Sequence, residues 1–163
     1  KGSKMPDNKK KPARSGSSSG KKTAAILLEE KKDNNSFLWK LDLRQAYRVA
    51  SMKKLERTFF YSRENRGSFT VTDTVEFSKP ESFETAIIAF GTCKQIAPGK
   101  LELEFSGRKL IASIDTNGEP FTLQTSGIPG KYQGGLKPQR IAIQLKNTVR
   151  KAEIRITFTP DQQ

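Results

Sequence analysis

Histidine is absent from this 163-residue chain, and cysteine and tryptophan occur once each, as Cys93 and Trp39. Without an imidazole there is no Cys/His metal set, and no side chain whose ordinary pKa suits acid–base work near neutral pH. A lone cysteine excludes an internal disulfide. No apolar run approaches the roughly 20 residues that a bilayer crossing takes, and no signal-type apolar region follows the lysine-rich start, so no membrane span is expected. A chain of this length can still bury a core without a staple, so one folded domain is the expectation, with no metal and no cofactor.

Positive charge is in excess: 30 Lys and Arg stand against 17 Asp and Glu, a net of +13. Its placement is uneven. Residues 1 to 22, "KGSKMPDNKKKPARSGSSSGKK", hold eight basic residues and one Asp, which leaves +6 for the other 141. That stretch is rich in Lys, Ser and Gly and poor in apolar residues, the composition of a flexible basic tail or linker. Its "KKKPAR" also fits a nucleic-acid or nuclear-targeting patch. The domain reading is therefore a tail over 1–22 and a folded unit over 23–163.

Beyond the tail the pattern is strand and turn. "TAAILLEEKK" and "SFLWKLDL" flank Asp33, Asn34 and Asn35, which favour a hairpin turn, although "AILLEEKK" alone also fits a helix. "LERTFFYS" and "GSFTVTDTVEF" flank "RENRG", a second hairpin. "FETAIIAFG", "KLELEFS", "RKLIASID", "PFTLQTS", "RIAIQLK" and "KAEIRITFT" complete the series. Leu101, Leu103 and Phe105, then Ile141, Ile143 and Leu145, then Ile154, Ile156 and Phe158, form rows of period two. About nine short strands at this spacing predict an all-β fold, an antiparallel sandwich or barrel. Trp39 shares its phase with Phe37, Leu41 and Leu43 and reads as core.

Asp73 breaks the pattern. It sits in the apolar phase set by Phe69, Val71, Val75 and Phe77, where a carboxylate needs a partner. Arg57 on the neighbouring hairpin strand is the expected one, which makes Arg57 and Asp73 a structural pair; the competing role, a general base, requires an acid that the sequence does not identify. Tyr47, Tyr61 and Tyr132 read as packing residues and Cys93 as a half-buried thiol without an activating base. "GIPGKYQGGLKPQR", residues 127 to 140, is a mobile loop or an anion-binding one through Lys131, Lys137 and Arg140; it lacks the Gly-Lys-Ser/Thr ending of a Walker loop. "NNS" at 34–36 matches a glycosylation sequon.

"WKLDLRQAYRVASMKKLERTFFYSRENRGSFTVTDTVEF" resembles the C-terminal β-domain of heparinase II/III-type polysaccharide lyases. The resemblance is carried by Asp42, Ala46 and Tyr47, by Lys53 and Lys54 leading to Arg57 and Thr58, and by Val71, Thr72 and Asp73. The later strands follow in the same order, so the likeness spans about residues 24 to 160. Such lyases cleave acidic polysaccharides by β-elimination, and their catalytic Asn, His and Tyr come from an upstream α/α toroid and the earlier part of the β-domain. No histidine-bearing motif of that kind occurs here. The resemblance thus implies a noncatalytic β-sandwich module that supports a catalytic domain and contacts acidic polysaccharide, in a bacterial periplasmic or secreted setting. A stand-alone basic module binding polyanionic glycan or nucleic acid is the alternative, with nucleic acid the weaker of these partners.

Overall fold

The computed structural model describes residues 25–130, 132 and 137–161. Among these residues, eleven strands and two single turns of 3-10 helix, Arg44–Ala46 and Glu64–Arg66, make up the regular structure. The strands are β1 (Ile26–Lys32), β2 (Ser36–Asp42), β3 (Met52–Ser62), β4 (Ser68–Glu81), β5 (Glu84–Ala89), β6 (Thr92–Ala97), β7 (Lys100–Phe105), β8 (Arg108–Asp115), β9 (Phe121–Gly127), β10 (Gln139–Leu145) and β11 (Val149–Pro160). They form two open antiparallel sheets, one of eight strands in the order β1-β2-β3-β4-β11-β8-β7-β6 and one of three in the order β5-β10-β9. The all-β sandwich expected from the alternation is what the chain adopts.

Local chemistry sets the hairpins. At the β1–β2 turn the Asp33 carboxylate accepts from the Asn35 and Ser36 amides at 2.7 and 2.6 Å and from the Ser36 hydroxyl at 2.6 Å. That network satisfies the turn backbone and selects strand over helix for "AILLEEKK". The β3–β4 turn passes through Asn65, Arg66 and Gly67, all at positive φ, and the β7–β8 turn through Ser106 and Gly107. Left-handed pairs of this kind match the twist of the strands they join. β11 enters between β4 and β8, pairing Ile154 with Asp73 on one side and Ile156 with Ile114 on the other. It joins two meanders, β1–β4 and β6–β8, into one sheet.

The core lies where the small sheet covers the middle of the large one. Leu55, Val75, Leu101, Ala112, Ile154 and Ile156 of the large sheet meet Ile87, Ile141, Ile143 and Leu145 of the small. Neighbouring strands lie about 4.8 Å apart, so eight strands span roughly 34 Å and three roughly 10 Å. The cover is therefore partial. Trp39, Tyr61 and Phe69, which share the inward phase of β2, β3 and β4, are 43%, 41% and 38% exposed. Trp39 is in the apolar phase but not in the core, because nothing among the described residues lies over its part of the sheet. The Phe59, Phe69 and Phe158 rings run side by side across β3, β4 and β11, each neighbour at 6.1 Å, and continue this open band.

Candidate functional site

Among the described residues, one charged side chain lies in the core, and it faces the small sheet. Asp73 is 2% exposed and lies directly across from Arg57 in the β3–β4 register. Arg57 Nε donates to Asp73 Oδ1 at 2.6 Å and Nη2 donates to Oδ2 at 2.7 Å. Thr85, at the start of β5, donates its hydroxyl to Oδ2 at 2.6 Å and accepts from Arg57 Nη2 at 3.1 Å. Both carboxylate oxygens are thus engaged by a planar two-pronged donor and a hydroxyl, which offsets the cost of burying the charge. The bond to Asp73 raises the Arg57 pKa above its ordinary value against the opposing effect of burial, with a smaller contribution from Tyr47. With Asp73 only 2% exposed, its carboxylate has no open approach to a substrate proton. Arg57 differs: its side chain keeps 29% exposure, and its Nη1 has no partner among the described residues.

Of the three loop cations, the structure describes Lys137 and Arg140. Arg140 is ion-paired with Glu84 across the small sheet. The two flank the Ala86–Ala142 pair in register, which accounts for Ala142 being buried although it points away from the large sheet. Lys137 is exposed, and Lys131 lies outside the described residues, as does the 1–22 tail. Tyr47 and Tyr61 are exposed, and the Tyr132 hydroxyl donates to the Ile128 and Pro129 carbonyls. Burial pushes the Cys93 thiol up, away from the reactive thiolate. No cluster of His, Cys, Asp or Glu among the described residues could hold a metal, and none of their helices is long and apolar enough to cross a membrane.

One concavity among the described residues is instead apolar. A cleft of about 660 Å3 opens where β5 parts from the large sheet, lined by Phe69, Phe90, Phe105, Leu110 and Phe158 with Arg66 and Arg108 beside them. Sequence reading missed it, since it depends on how two sheets diverge. It also missed Thr85, which reaches the ion pair from the other sheet.

The arrangement of an eight-stranded sheet with β11 threaded into its centre, backed by three strands, occurs in solved structures. A crystal structure of heparinase III matches over 84% of this chain with a TM-score of 0.64 and 17% identity. A second heparinase III gives 85%, 0.66 and 12%, and the heparan sulfate lyase HepC from Pedobacter heparinus 85%, 0.60 and 11%. The chain has the fold of a segment of heparinase III. That segment is small, since the match takes in only 21 to 22% of each of those chains. The sequence matches no protein-family model and no curated protein. The stretch from Asp42 to Asp73 runs from the end of β2 through the first 3-10 turn and β3 into β4, and β3 and β4 carry the ion pair.

Proposed function

We propose that this chain is the noncatalytic C-terminal β-sandwich module of a heparinase II/III-like polysaccharide lyase, supporting a catalytic domain and contacting acidic polysaccharide. The observation that carries the reading is the fold match, nearly complete on this chain and about a fifth of the lyases. Elimination beside a uronate carboxylate needs a base, an acid and a group that steadies the enolate. Here the one core carboxylate among the described residues is held by Arg57 and Thr85 and the chain has no histidine, so the chemistry falls to residues outside this segment. The Arg57–Asp73–Thr85 cluster then has a structural role, tying the small sheet to the large one. A periplasmic or secreted bacterial location follows from the same reading.

Incubating the chain with heparan sulfate and following the absorbance of the unsaturated uronate product tests this. No turnover is expected from the chain alone, and robust turnover overturns the noncatalytic role. The tail's net +7 favours a second reading, a stand-alone module whose affinity for a polyanion resides in residues 1–22. Deleting that tail separates the two: binding that survives belongs to the folded surface.

A further inference from the structure

The small sheet is unfinished on one side. β5 pairs with β10 along one edge only, and no described strand pairs along its other edge, so a row of backbone N–H and C=O groups there has no strand partner among the described residues. β5 begins over the ion pair, where Thr85 meets Arg57 and Asp73, and ends where Phe90 meets Phe105 at 6.5 Å. A strand laid along its free edge therefore has the aromatic band beneath it and the 660 Å3 cleft on its path. Arginines stand at both ends: Arg57, paired with Asp73 but with Nη1 unengaged, at one, and Arg66 and Arg108, with Glu104 also on the cleft wall, at the other. Neither Arg66 nor Arg108 is ion-paired with a carboxylate among the described residues, and each is held at the cleft mouth by a hairpin turn of left-handed residues.

We infer that the free edge of β5 receives an added β-strand, an extended protein segment of about six residues with alternate apolar side chains and carboxylates at its ends. Main-chain bonds to β5 set its direction. Its apolar side chains fill the cleft and cover Phe69, and its carboxylates meet Arg57 and the Arg66–Arg108 pair. Residues 1 to 22 do not fit this description, having the wrong sign of charge and almost no apolar alternation. The inference draws on the sheet geometry and does not depend on the lyase reading. A glycan fits less well, because a cleft floored by phenylalanine and leucine offers a sugar chain few hydrogen bonds.

Selection of displayed short random peptides against the immobilised full chain tests it. The expected winners alternate large apolar residues with polar ones and carry Asp or Glu near the ends. Their affinity falls about tenfold or more in Arg66→Ala/Arg108→Ala, two exposed positions, one in the β3–β4 turn and one opening β8, and in Phe69→Ser. Unchanged thermal midpoints for the arginine variant separate lost contact from lost fold. Acidic peptides without alternation that bind both variants as well as the parent report the basic tail and overturn the inference. So does the absence of any consensus. Concentration-dependent dimerisation that Phe69→Ser abolishes also overturns it, by assigning the face to a second copy.

Discussion

Removing either partner of the Arg57–Asp73 pair strands the other, but not equally. Arg57→Ala leaves a carboxylate that is 2% exposed with only the Thr85 hydroxyl, and is expected to cost about 3 to 5 kcal/mol. Asp73→Ala leaves a guanidinium that reaches water, and is expected to cost nearer 2 kcal/mol. Asp73→Asn, which keeps shape and some hydrogen bonding, is milder than either. The double variant loses less than the sum, and strictly additive losses in urea denaturation contradict the pair. A second carboxylate gives a pH test. The Ser36 hydroxyl, then the Asn35 and Ser36 amides, hold the Asp33 carboxyl below its ordinary 3.8. A depressed folded-state pKa means stability that is complete above that value and lost as pH falls through the lower one. The difference in unfolding midpoint between the parent and Asp33→Asn, present at pH 7, should close on acidification below about 3.8. Asp73 stood out in the sequence because a charge interrupts an apolar phase, and Arg57 could be matched to it because a hairpin fixes which residues face each other. Thr85 carried no such signal, since contacts between sheets obey no sequence spacing.

At the scale of elements, two glycines with like dihedrals make unlike predictions. Gly91 and Gly107 have φ of 85° and 73°. A Cβ on Gly91 would lie 2.1 Å from the Glu104 carbonyl oxygen, a backbone atom that cannot step aside, whereas one on Gly107 meets nothing within 4 Å. Gly107→Ala should cost about 1 to 2 kcal/mol, the strain of a left-handed L-residue alone. Gly91→Ala should cost clearly more and loosen the β5–β6 corner, which chemical denaturation of the two variants compares directly. The hairpins themselves were legible, because strand alternation and turn residues such as Asp33 and Asn35 are local signals. Leu101, Ile141, Ile143 and Ile154 were legible as core for the same reason, being inward on strands that are covered.

Coverage is a property of the whole molecule, and there the sequence misleads. Phase says which face Trp39 points to but not whether a second sheet is wide enough to reach it. As the sole tryptophan it reports its own surroundings: its emission should be that of a water-exposed indole and readily quenched by acrylamide, and a blue-shifted, protected signal would place it in a core after all. The position of β11 has a further consequence for how the chain is made. Synthesis delivers the meander β1–β4 first and the meander β6–β8 later, each able to form from neighbouring hairpins. The strand that unites them is the last of the eleven to leave the ribosome, and its pairing with β4 spans the greatest sequence distance of any in the sheet. Until it arrives, β4 and β8 are both open edges on half-built sheets, the condition in which nascent β proteins pair wrongly. A ribosome stalled before residue 149 would hold the two meanders without the strand that joins them.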